Sequence, residues 1–143
     1  SVYPQGNTFT QNDTKGPKMA VAQLTETDLF DLDRKARCNR NYGKRVKVAH
    51  NTYIFAGDHG VELTYHDNRI LHKPYGALHY EIGNAGWHTM TTAGRLDQIT
   101  YDNGGGRVNI KDGVMRYTAP SGKVHDMYGT LIIDMRNGEV MEP

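Results

Sequence analysis

From Val46 onward the chain alternates apolar and polar residues in short runs, and each run ends at turn-forming residues. A period of two sends every second side chain to the same side of an extended strand, so runs of this kind bury one face of a sheet. Val46-Lys47-Val48, Thr52-Tyr53-Ile54-Phe55, Val61 to His66, Arg69 to His72 and Ala77 to Ile82 have this form. Within Val61 to His66, Val61, Leu63 and Tyr65 share one face, and Glu62, Thr64 and His66 the other. Asp67-Asn68 and Lys73-Pro74-Tyr75-Gly76 supply turns. Further on, Arg107 to Lys111 and Val114 to Thr118 flank Asp112-Gly113, a pair suited to a type I′ hairpin turn. Pro120-Ser121-Gly122 turns the chain, Leu131-Ile132-Ile133 predicts a buried strand, and Asn137-Gly138 leads back to Val140 and Met141. With 16 glycines, 9 tyrosines and 37% hydrophobic residues, the composition favours a thin sheet core over a helical bundle. The fold class is α+β, mainly antiparallel β-sheet.

Two segments depart from the alternation. The first reads as an N-terminal helix over about 25–38, with Thr25 as N-cap and Asp28 three residues on. Leu24 and Leu29 have the spacing of a hydrophobic staple, and Leu29, Leu32 and Ala36 form its apolar face with Phe30 at the margin. Glu26, Asp28, Asp31 and Asp33 precede Arg34, Lys35 and Arg37, an order that suits the helix macrodipole. The second helix, over about 92–101, follows the only tryptophan, Trp87. Thr91 or Thr92 caps it, Leu96 and Ile99 anchor it, and Gly104-Gly105-Gly106 ends it.

Residues 1–23 contain no leucine or isoleucine, which predicts an extended arm, with a single α+β domain over 24–143. The arm is placed to pack on its own domain or to wrap a partner or a sister subunit, making it a route to a homo-oligomer. Net charge is +1, so the chain lacks the global signature of a polyanion binder. Its single cysteine, Cys38, cannot form an intramolecular disulfide. No apolar run approaches the roughly 20 residues that span a bilayer, and the start lacks an apolar leader core, so no membrane role is expected.

Local features carry the functional candidates. Arg34, Lys35, Arg37, Arg40, Lys44, Arg45 and Lys47, with Tyr42 among them, make the strongest local charge imbalance: either helix C-terminal charge running into a solvated loop, or a segment that contacts phosphates or a protein partner. Tyr53, Tyr65, Tyr80 and Tyr117 lie in or near strands, where exposed rings could stack bases, while several of them must instead build a core poor in Leu and Phe. A strand-strand-strand-helix order also has a fold-level analogy with three-stranded DNA-binding domains. Gly83-Asn84-Ala85-Gly86-Trp87-His88-Thr89-Met90-Thr91-Thr92 forms the corner between sheet and helix. Here Trp87 is expected to anchor the core. The threonines either cap the helix or, with Arg95, form an anion pocket of Thr89, Thr91, Thr92 and Arg95 at its N-terminus. The seven histidines, His50, His59, His66, His72, His79, His88 and His125, have no metal-ligand spacing, and no metal or cofactor is expected.

The centre of the chain resembles a family of small bacteriophage proteins. Their pattern opens Asn-Asn-Thr-Tyr, matched by His50-Asn51-Thr52-Tyr53, and continues into a strand matched by Leu63 to Asn68. A Gly-Gly-Trp-Arg-Thr-x-Thr-Thr box follows, matched by Ala85-Gly86-Trp87-His88-Thr89-Met90-Thr91-Thr92, with Arg95-Leu96-Asp97 and the Val114 to Tyr117 strand beyond. Ala85 replaces a glycine, which predicts a backbone without positive φ there. His88 replaces an arginine, exchanging a permanent cation for a ring that is mostly neutral at pH 7. The resemblance covers about 46–118 and implies phage origin, in host cytoplasm or virion, without attaching a chemistry. The resulting expectation is a non-enzymatic bacteriophage accessory protein that binds a macromolecule, a host or virion protein ahead of DNA or RNA. A small nucleotide-ligand binder and a histidine-based nuclease are the alternatives.

Overall fold

The computed structural model describes residues 24–38 and 45–141. The arm 1–23 and, within the basic segment, Arg40, Tyr42 and Lys44 lie outside the described residues. Helix α1 (Leu29–Cys38) precedes β1 (Val46–Ala49), β2 (Thr52–Ala56), β3 (Gly60–Tyr65), β4 (Asn68–Pro74) and β5 (His79–Ile82). Helix α2 (Met90–Asp102) then leads to β6 (Arg107–Lys111), β7 (Val114–Thr118), β8 (Val124–Asp126) and β9 (Leu131–Asp134). The α+β expectation holds, and the strands follow the alternating runs closely.

Strands β1 to β5 form an antiparallel meander, and β9 returns to pair with β5, giving a six-stranded sheet in the order β1-β2-β3-β4-β5-β9. Strands β6 to β8 form a second, three-stranded antiparallel sheet. Five strands precede α2, so the three-stranded DNA-binding analogy does not describe this topology. The Asp112-Gly113 hairpin forms in the expected register, with both residues at positive φ. The turn at the β3–β4 corner lies one residue earlier than Asp67-Asn68: Tyr65 pairs with Asn68, and His66 and Asp67 occupy the positive-φ positions.

One apolar cluster runs through both sheets. Leu29 and Leu32 of α1, Leu96 and Ile99 of α2, Leu63, Leu71 and Ile82 of the larger sheet, and Met115 and Tyr117 of the smaller are all buried within it. Tyr80 and Tyr117 are fully buried, so these two take the core role and not the stacking one: in a chain with only three phenylalanines they fill the interior. The Tyr117 hydroxyl accepts from the Gly106 amide and donates to the Gly138 carbonyl, tying the smaller sheet to the last turn. Burial pushes the Tyr80 hydroxyl well above its usual value. Asp97 on α2 accepts from both Arg107 and the Val108 amide, which fastens helix to β6.

Both helix starts differ from the sequence expectation. The first helix begins at Leu29, not 25, and Asp28 is its cap, accepting from the Asp31 amide at 3.0 Å. Tertiary bonds claim the residues before it. Leu24 is clamped by the Gln98 side chain, the Thr25 amide reaches the Val48 carbonyl, and Asn103 accepts from the Leu29 amide. The second helix starts at Met90 with Thr89, not Thr91 or Thr92, as N-cap, its hydroxyl accepting from the Thr92 amide.

On the face of the larger sheet away from the core, Glu62, His72 and Glu81 are cross-strand neighbours. Burial lowers the His72 pKa, Arg69 and His59 reinforce that, and Glu81 and Glu62 oppose it. A folded-state value below 6.5 means the unfolded chain binds the proton first. The contribution from His72 is therefore complete above about pH 6.5 and is lost as the pH falls towards the lowered value. Denaturation midpoints should fall across that window in the wild type and flatten in His72→Gln.

Candidate functional site

The corner between β5 and α2 is built from the chain outward. The Asn84 side chain, buried at 6% exposure, donates to the Met127 carbonyl at 2.9 Å and accepts from the Gly86 amide. The Trp87 amide closes on the Asn84 carbonyl at 2.8 Å, making a tight turn with Ala85 at φ 52° and Gly86 at φ 85°. Positive φ at both central positions is the type I′ signature, so Ala85 does adopt the conformation that the glycine of the resembling pattern would favour. This turn swings the next side chain outward. Trp87 is 59% exposed, and its assignment as a core anchor is overturned. The interior it was expected to fill is occupied by Tyr80, Tyr117 and aliphatic residues instead.

His88 points the other way. Its Nδ1 accepts from the Met115 amide at 2.9 Å, and its ring lies 5.7 Å from that of Tyr128. The histidine in the arginine position of the box is thus a strut between the corner and the smaller sheet.

The outward indole forms one side of a cleft of about 530 Å³, lined by Tyr65, His66, Asn68, Trp87, Thr89, Thr91 and Thr92. This volume lies within the range of small-molecule sites. Three of the four residues expected to make an anion pocket therefore do share a cavity. Arg95 does not line it. It is 3% exposed, donates from Nε to the Thr52 hydroxyl at 3.0 Å and from a terminal nitrogen to the His50 carbonyl, and sits 5.9 Å from the Tyr65 ring. Its helix face points at the sheet, so burial draws its pKa down while Tyr65 supports the charge. Arg95→Ala should lower stability by about 2 kcal/mol through the acceptors it leaves unpaired. The direct cleft contacts should survive, which parallel melting and binding measurements would check.

The cleft's other side comes from the β3–β4 turn, which sequence reasoning did not connect with the box. The available signal was Tyr65 to Asn68, a strand end followed by two residues that tolerate positive φ. The two loops approach because β3 and β5 flank β4 in the sheet.

The basic segment has a different character. Arg34 pairs with Asp31, Lys35 with Asp31 and Glu26, Arg37 with Asp33, and Arg45 with Asp67. Arg45 also lies 4.2 Å over the Tyr53 ring. Lys47 is exposed on β1. The charges of Arg34, Lys35, Arg37 and Arg45 are met by acids on the same helix, by Glu26 just before it and by Asp67 of the β3–β4 turn. Among the described residues, no group of three or more His, Cys, Asp or Glu is placed to hold a metal ion.

Against this geometry, the family of the Kyanoviridae Gp96 protein matches residues 34–138, well over half of the chain. The chain belongs to that family. It is a bacteriophage protein family, so phage origin stands. No curated protein and no solved structure matches the chain. No helix among the described residues is long and apolar enough to cross a membrane.

Proposed function

We propose that this phage protein is a non-enzymatic accessory factor that works by binding, and that its partner contacts the Trp87 cleft instead of the basic segment. The exposed indole carries the reading. A tryptophan left 59% exposed at the mouth of a 530 Å³ cleft contributes little to the core, and aromatic residues dominate binding hot spots. Met90, three residues on at the start of α2, is exposed as well. Arg34, Lys35, Arg37 and Arg45 each face a carboxylate, so those acids offset the positive field that would draw a phosphate to the segment.

Affinity capture from infected host cells tests this. The wild type and a variant with Arg34, Lys35, Arg37 and Arg45 changed to alanine should retain the same partner, in a salt-tolerant manner. Trp87→Ala should lose it. Retention by Trp87→Ala together with loss in the cation variant would move the contact to the basic segment.

A further inference from the structure

The lining of the cleft narrows what can enter it. Resting on the reading that the partner contacts Trp87, we propose that the group entering the cleft is a nucleobase, from a free nucleotide or from an unpaired position in a strand.

Three features point there. The first is the flat apolar surface available. The indole of Trp87 has no aromatic neighbour in ring contact among the described residues, while Tyr65 is backed by the His66 ring at 4.4 Å and by Arg95 at 5.9 Å. An unpaired base gains by stacking on such side chains, whichever base it is. The second is the polar edge. Thr89 and Thr92 bond each other, but among the described residues the Thr91 hydroxyl and the Asn68 amide oxygen meet no partner. A phenyl ring entering from a protein loop would cover both and satisfy neither, whereas the edge of a base carries donors and acceptors at matching reach. The third is charge. Among the described residues no Lys or Arg lines the cleft, and the Arg95 guanidinium on the same helix as Thr91 and Thr92 is committed to Thr52 and His50. With no Lys or Arg among the described lining residues, the base supplies the recognition and the phosphate stays in solvent.

The single tryptophan makes the site its own reporter. Adenosine, uridine, their monophosphates, a short single-stranded oligonucleotide and inorganic phosphate would be titrated separately into the full chain while indole emission is followed. Saturable quenching is expected from nucleosides and monophosphates with affinities within about threefold of each other, largely independent of salt, and none from phosphate. Thr91→Val and Asn68→Ala should each weaken binding by about tenfold, the size of one lost hydrogen bond, with the melting temperature unchanged in Thr91→Val. An oligonucleotide that binds far more tightly than the monophosphate assigns the base to a strand, and equal affinities assign it to a free nucleotide. Quenching by inorganic phosphate alone, or no quenching by any nucleoside at millimolar concentration, overturns the base assignment. Capture that still depends on Trp87 would in that case leave the binding reading standing, whereas capture indifferent to Trp87 would remove both.

Discussion

Lys73→Met should cost about 3 kcal/mol of stability, the largest effect of any single change considered for this fold. Lys73 and Asp33 are 1% and 2% exposed, and the Lys73 ammonium meets the Asp33 carboxylate at 2.5 Å beneath α1. The carboxylate also accepts from the Gly76 amide at 2.9 Å and lies 2.7 Å from the Arg37 guanidinium. Burial alone would raise the pKa of Asp33, but Lys73, Gly76 and Arg37 together hold it below its ordinary value. Removing the lysine leaves a buried carboxylate with only the Gly76 amide and the more exposed Arg37 as partners. The charge persists because Arg37 and Gly76 remain, so the desolvation cost is kept while the main compensation is lost. Asp33→Leu in the same background should recover much of the loss, since an apolar pair of similar volume often matches a buried ion pair. Chemical denaturation of the two single variants and the double variant gives the coupling directly. In the wild type this pair is also a pH device with a clear sign. Asp33, with its folded value depressed, stabilises fully above the unfolded value of 3.8, and that contribution is lost as the pH falls through the folded one.

Trp87→Ala should separate function from folding. A 59% exposed side chain away from the core is expected to change stability by no more than about 0.5 kcal/mol. The same truncation should weaken partner binding by about thirtyfold or more, since hot-spot aromatics lose about 2 kcal/mol or more on truncation. For a buried anchor the ratio would be reversed, at about 3–5 kcal/mol of stability for a tryptophan in the core. Thermal melts and partner titrations on one preparation distinguish the two.

Much of the fold was legible in the residues. Period-two runs located β1 to β7 because each strand buries one face, and Asp112-Gly113 fixed a hairpin register through backbone chemistry that is local to the turn. Helix starts were less legible, because Leu24, Thr25 and Leu29 make bonds to Gln98, Val48 and Asn103 that no local propensity announces. Strand β8, Val124–Asp126, was missed. It is a short edge strand with an exposed–intermediate–exposed pattern, which yields almost no hydrophobic alternation. The Asp33–Lys73 pair was illegible for a related reason. Asp33 reads as one more acid on a charge-graded helix and Lys73 as the start of a turn, and 40 residues separate them.

At the candidate site, the threonine box could be read but the direction of its tryptophan could not. A lone indole in a chain short of large apolar residues looks like core. What decides the matter is the backbone at Asn84-Ala85-Gly86, where alanine takes a conformation usually left to glycine and sends the next side chain into solvent. Arg95 misled in the opposite sense. Its proximity in sequence to the threonines suggested a shared pocket, yet position 95 lies on the helix face packed against β2, with its bonds to Thr52 and His50.

Collisional quenching of the only tryptophan tests the central claim most directly. In the free protein, Trp87 emission should be strongly red-shifted and open to acrylamide, and bound partner should protect it. A blue-shifted emission that resists acrylamide in the folded protein alone, and does not change when partner binds, would place the indole in the interior and contradict the account.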